Sequence, residues 1–158
     1  MHLNCQSPKG REALEQNSRA LEKLSQQTGL KFLSFSSEQP SCADGIIVDG
    51  TTPISLFEVK SRAMDLPKLE FEWGFRWMIS EHKLIDNQEV SIRLKLPFTG
   101  ILHCLWDDAV LMQNIWDADG KPLAEWRVFD TTTPKNINGG QKHEPTAYVD
   151  MTEATIYK

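Results

Sequence analysis

The chemistry in this sequence is concentrated where an apolar run turns charged. Residues 54–60 read Ile-Ser-Leu-Phe-Glu-Val-Lys. On a strand, alternation places Ile54, Leu56, Glu58 and Lys60 on one face and Ser55, Phe57 and Val59 on the other. A solvent face is polar throughout and a core face apolar throughout, so a face that changes midway predicts a strand leaving the core at the floor of a cleft. A second apolar run covers residues 43–48, and Asp49-Gly50-Thr51-Thr52-Pro53 between the two is turn chemistry, which predicts an antiparallel hairpin. Placing Val48 opposite Ile54 sets Ile46 opposite Leu56 and Asp44 opposite Glu58. Opposed Cβ atoms lie about 4.5 to 5.5 Å apart, so the two carboxylates could hold one divalent cation between them. Without a cation, a proton or Lys60 to balance them, the two like charges repel. Mg²⁺ held there would acidify water, and Lys60 would orient that water or stabilise charge growing on a phosphate. These residues outline a phosphodiesterase centre.

The elements that must position this hairpin are legible on either side of it. Residues 12–27 are rich in good helix formers, with Ser7-Pro8 as entry and Thr28-Gly29 as stop. Leu14, Ala20, Leu21 and Leu24 make its apolar side. Residues 30–36 alternate as a first strand. Residues 64–77, interrupted by Leu66-Pro67 and Gly74, read as irregular chain. A second helix is expected from Ser80 with Leu84, Ile85, Gln88 and Ile92 on one face, and a strand through Val90, Ile92, Leu94 and Leu96 is the alternative. Residues 98–106 and 110–116 read as two strands around Asp107-Asp108. Residues 124–129 form a short strand, residues 131–146 a loop, and residues 147–157 a last strand.

The whole chain, 158 residues with a net charge of −5, is expected to fold as a single α/β domain, its core at about residues 10–106 and a β extension over 107–158. No window approaches the roughly 20 apolar residues of a spanning helix, and Met1 to Gly10 lacks a signal-peptide pattern, which predicts an intracellular, cytoplasmic protein with no membrane partner. Cys5, Cys42 and Cys104 are too few and too scattered for a disulfide framework or a zinc site. The acidic balance argues against holding nucleic acid by bulk electrostatics, but not against an enzyme that meets DNA through a metal and a few local cations.

Asp44, then thirteen residues, then Glu58-Val59-Lys60 on a hairpin after an initial helix resembles the PD-(D/E)XK nuclease superfamily, the restriction-endonuclease-like fold. The resemblance covers roughly residues 10–106. It implies an αβββαβ core with a mixed sheet flanked by helices, here with extra C-terminal strands, and cleavage of DNA with Mg²⁺ or Mn²⁺. By that likeness Asp44 and Glu58 are metal ligands, the Val59 carbonyl is a third, and Lys60 is the catalytic lysine. Ala43 stands where the motif name has proline. A helical glutamate often completes the metal site in this superfamily. Glu12, Glu15 and Glu22 are available, Asn17 occupies the centre of the apolar stripe, and Glu15 is the favoured candidate.

Other residues carry nucleic-acid and binding expectations. Arg62, Arg76, Lys83 and Gln88 are candidate contacts to DNA, with RNA as a further possibility, while Lys83, Gln88 and Ser91 also read as solvated helix residues. Phe71, Trp73, Phe75, Arg76 and Trp77 could stack on bases or bury in a core or homodimer contact. Asn138-Gly139-Gly140 reads as a plain turn, Cys42 as a small buried thiol opposite Lys60, and His82, His103 and His143 show no spacing for a triad. A structure-specific or nonspecific nuclease, of the kind a phage or mobile element encodes, is the leading expectation. A nuclease-like fold serving as a catalytically inactive binding or assembly protein, and hydrolysis of a small phosphate ester, are the alternatives.

Overall fold

The computed structural model describes residues 7–35, 43–132 and 143–158. A first helix, α1 (Pro8–Thr28), is opened by Ser7, whose Oγ accepts the Gly10 amide, and closed by Gly29 at φ 74°. This is the expected entry and stop, since proline suits a first helical turn and glycine a left-handed cap. Then come β1 (Lys31–Ser34), β2 (Gly45–Asp49) and β3 (Thr52–Arg62), followed by α2 (Leu66–Trp73), β4 (Arg76–Ser80) and α3 (Glu81–Leu94). The chain finishes with β5 (Phe98–Cys104), β6 (Ala109–Trp116), β7 (Trp126–Thr132), β8 (His143–Asp150) and β9 (Thr155–Tyr157).

The architecture is mixed α/β. Six strands form one sheet in the order β1-β2-β3-β5-β6-β9, and β4-β8-β7 form a second. The β3–β5 pair is parallel and its neighbours are antiparallel, so the larger sheet is mixed. Alternation along β3 separates two apolar clusters. Phe57 and Val59 pack with Ala20, Leu21 and Leu24 of α1, while Leu56 joins Trp77, Ile79, Leu84, Phe98, Leu102, Ala147 and Val149 on the other face. The larger sheet thus carries α1 on one face and α3 with the second sheet on the other.

Two features of the hairpin depart from expectation. Ile46 lies opposite Leu56 as expected, but Val48 lies opposite Pro53, so Ile54 is an extra residue in a bulge and is 37% exposed. Asp44 lies one residue beyond β2, where its amide donates to the Phe57 carbonyl at 2.9 Å, so no ladder pair joins it to Glu58. Gly45, the first residue of β2, allows β1 and the Phe57 ring to approach closely. A Cβ at that position would meet the Leu33 carbonyl oxygen at 2.2 Å and the Phe57 ring at 2.7 Å.

The irregular chain expected over residues 64–77 is instead α2 and β4. Asp65 caps α2 by accepting the Lys68 amide, Pro67 sits in the first turn where a missing N–H costs nothing, and Gly74 at φ 61° ends the helix. On α3 the helix is present and the alternative strand is not. Its buried residues are Leu84, Asn87 and Ser91, whereas Ile85 and Ile92 are 40% and 49% exposed. The buried side thus mixes Leu84 with the polar Asn87 and Ser91, and two isoleucines expected on it lie outside. The expected last strand is divided into β8 and β9, which belong to different sheets. Among the described residues no helix is long and apolar enough to cross a membrane. Cys5, Cys42 and the 138–140 turn lie outside the described residues.

Candidate active site

The polar residues on the inner side of α3 are explained by what they meet. Lys83 Nζ reaches Glu58 Oε1 at 3.0 Å, and Lys60 Nζ reaches the same oxygen at 3.0 Å. Glu58 is 1% exposed, while both lysines are 26% exposed. Its other oxygen, Oε2, is buried without a hydrogen-bond partner among the described residues. Asn87, one turn beyond Lys83, donates from Nδ2 to the Lys83 carbonyl at 2.8 Å.

Asp44 completes the cluster. Its Oδ2 accepts the Val59 amide at 2.9 Å, so the carboxylate takes the place of a backbone partner at the end of the β2–β3 ladder. Burial, and then the nearby Glu58 charge, push Asp44 from its ordinary 3.8 up to about 6, against the opposing pull of the Val59 amide, Lys60 and Lys83. Burial also opposes ionisation of Glu58, but the two ammonium groups and their hydrogen bonds outweigh it and its pKa is lowered. Two carboxylates in one site thus have different affinities for protons, one set by desolvation and one by cations.

Arg62 follows on the same face of β3 and feels the Glu58 charge, although desolvation pulls its pKa below the ordinary value. Two ammonium groups therefore contact Glu58, and Arg62 acts on it at longer range. The Glu58 face also has a wall. Gly100 lies beside Glu58 in the β3–β5 register, and a Cβ there would meet the Trp77 ring at 2.9 Å. The fully buried Trp77 ring packs against Gly100, the strand neighbour of Glu58.

Of the residues singled out from the sequence, Asp44, Glu58, Val59, Lys60, Arg62 and Lys83 come together. Glu15 does not. Asn17 Oδ1 accepts the Ser61 hydroxyl at 2.8 Å, so α1 presents Asn17 to the face of β3 away from Glu58. Glu15, about 200° around the helix from Asn17, is exposed to solvent. Gln88 is also elsewhere, donating to the Gly120 carbonyl at 2.8 Å, and Arg76 lies on the second sheet at the end remote from Ser80. Of the aromatic cluster, Trp77 is core and Phe71 is 82% exposed.

Sequence reasoning missed two things. The polar residues Lys83, Asn87 and Ser91 recur every four positions, a readable stripe that was hidden by the more apolar Ile85 and Ile92. His103 is also held in a series: Ser61 Oγ is 3.4 Å from Nδ1, and Nε2 is 2.7 Å from Asp108 Oδ1. Lys23 of α1 pairs with Asp108 at 3.4 Å, and the series ties α1 to the ends of β3 and β5. Ser61 and His103 are direct register partners, a relation that only the strand order discloses.

Comparison of the chain with protein-family models, curated proteins and solved structures returned no match.

Proposed function

We propose that this chain is a divalent-cation-dependent phosphodiesterase of the PD-(D/E)XK kind, cleaving DNA. The observation that carries the reading is Glu58, a carboxylate 1% exposed with one oxygen between two ammonium groups and the other without a partner, set beside the buried Asp44. A buried acid serving only stability has both oxygens satisfied, because an unpaired one costs about 1–3 kcal/mol or more. The donor set fits a hard cation: carboxylate oxygens of Asp44 and Glu58, with the Val59 carbonyl as a further oxygen. The order α1-β1-β2-β3, then α3 and β5, follows the αβββαβ order that the resemblance implies, with α2 and β4 inserted.

A bound Mg²⁺ or Mn²⁺ supplies Lewis-acid chemistry at a phosphoryl oxygen. The chain's own residues do the rest. Lys60 and Lys83 donate to Glu58 Oε1 and keep that carboxylate ionised in a dry site. The Val59 amide holds Asp44 in place. Lys60 Nζ stabilises negative charge developing on the phosphate, and Arg62 adds a second cation on the same strand face. The substrate is DNA in this reading, RNA is the alternative polymer, and the enzyme works in the cytoplasm, as a homodimer where the substrate is two-fold.

A second reading has its own observation. Among the described residues no group of three or more His, Cys, Asp or Glu side chains is gathered for a metal. With Glu15 turned away, a nuclease-like fold that binds without cutting is the competing account. Labelled single-stranded, duplex and branched DNA incubated with Mg²⁺ or Mn²⁺ decides between them. Metal-dependent products lost in both Lys60→Ala and Asp44→Asn support cleavage, and no product on any substrate leaves the binding protein.

A further inference from the structure

Away from Glu58, at the opposite end of the second sheet, the lining of a cavity of about 350 Å³ includes Arg76, Glu125, Trp126, Arg127, Tyr148 and Asp150. The register explains why these side chains converge. On β4-β8-β7, Arg76 is opposite Asp150 and Arg127 is opposite Tyr148. Directly opposed residues share a face, and residues two apart on β8 share it too, so all four lie on the outward face of the sheet. Their fellow strand residues Trp77, Ala147 and Val149 point inward and are buried. Arg76 and Arg127 stand on the two strands flanking β8, about 10 Å apart across the sheet.

The polar groups of this cavity are not consumed by one another. Among the described residues neither guanidinium has an ion pair or a hydrogen bond, although Arg76 faces Asp150 in the ladder. Asp150 Oδ1 accepts the Thr152 amide at 2.9 Å, so one carboxylate oxygen is fixed while the residue lines the cavity. Tyr148 is braced edge-on by Phe129, with ring centroids 5.4 Å apart. The site thus offers a fixed aromatic face, two guanidinium forks and carboxylate acceptors in a volume at the small end for ligand sites.

We infer that this cavity binds a single nucleotide unit. Tyr148 stacks on the base, the Asp150 and Glu125 carboxylates accept from its amino or imino hydrogens, and Arg76 and Arg127 hold the phosphate. Guanidinium suits phosphate because its planar fork makes two parallel bonds to it, and stacking on tyrosine suits any base. The two carboxylates decide against a bare anion: they weaken binding of inorganic phosphate, and only a ligand with hydrogen-bond donors recovers the loss. The inference stands on this cavity alone and does not depend on the phosphodiesterase reading. A free nucleotide and the phosphorylated end of a strand present the same chemistry.

Calorimetric titration of the full chain in chelator, with deoxyadenosine 5′-monophosphate, deoxyadenosine, inorganic phosphate and a 5′-phosphorylated dinucleotide, tests it without any cleavage. The expected result is saturable binding of the monophosphate at least tenfold tighter than of nucleoside or phosphate, weakened at least tenfold by Arg76→Ala, by Arg127→Ala and by Tyr148→Leu. Equal binding of the dinucleotide identifies a strand end, and preference for the monophosphate identifies a free nucleotide. No saturable binding at millimolar monophosphate overturns the inference, as does binding that neither arginine variant changes. Both arginines are on the surface, so folded variants are expected, and circular dichroism checks that they are.

Discussion

Lys83 Nζ stands 3.0 Å from Glu58 Oε1, a bond that joins the first turn of α3 to the middle of β3. It shares that oxygen with Lys60, so one buried carboxylate satisfies two ammonium groups from different elements. Glu58→Gln keeps an acceptor oxygen but removes the charge that the two ammonium groups share. Solvent reaches part of each lysine, which limits the cost to about 1–3 kcal/mol. Urea unfolding measures it. Adding Lys83→Met to Glu58→Gln is expected to cost less than the sum of the single changes, and strict additivity contradicts the coupling.

Asp44 gives the opposite sign. Its folded pKa is near 6 against an ordinary 3.8, so the native state disfavours its ionised form. Stability contributed by this group falls as pH rises from about 4 to about 6, and stays lower above that. Asp44→Asn keeps an oxygen for the Val59 amide and cannot ionise. In chelator at pH 8 it is expected to stabilise the fold by about 1–3 kcal/mol, with the gain gone at pH 4. A variant no more stable than the parent at pH 8 argues against a strained carboxylate.

The same group sets a limb in the pH profile. Cation binding needs the ionised Asp44, so cleavage of the most reactive DNA substrate is expected to drop tenfold per pH unit below about 6 and level off above it. Glu58, whose pKa is lowered, adds no limb in that range. A profile flat through pH 5 to 7 contradicts the assignment.

Much of the site was legible because strand alternation is a two-residue rule. Leu56, Glu58 and Lys60 do share a face, and the turn residues at 49–53 located the hairpin. The register beside the site was legible, with Ile46 opposite Leu56, but not at the turn, where the Ile54 bulge sets Val48 opposite Pro53, which lacks an N–H for the ladder. The course of residues 64–77 is hard to read from sequence because a proline that breaks a helix in mid-course also suits its first turn, where Pro67 opens α2. The outward-facing Ile85 and Ile92 hid the true buried face of α3, where a polar stripe is retained to meet Glu58. The only signal for it is the recurrence of Lys83, Asn87 and Ser91 every four positions, which the stronger apolar pattern masks.

Gly100 supplies a mechanical test of the wall beside Glu58. Gly100→Ala places a Cβ about where the Trp77 ring sits, 2.9 Å from its nearest atom. Trp77 is fully buried and has little room to retreat, so a loss of about 1–3 kcal/mol is expected together with a shift in tryptophan emission. A stable variant with unchanged emission shows that the ring is not held against this strand.

The central claim is that Asp44 and Glu58 hold a divalent cation, and Mn²⁺ titration of the full chain by calorimetry at pH 8 tests it most directly, with no substrate needed. Saturable binding in the parent, lost in Asp44→Asn and in Glu58→Gln while both variants stay folded, is the predicted result. No binding in the parent, or binding that both variants retain, contradicts the claim.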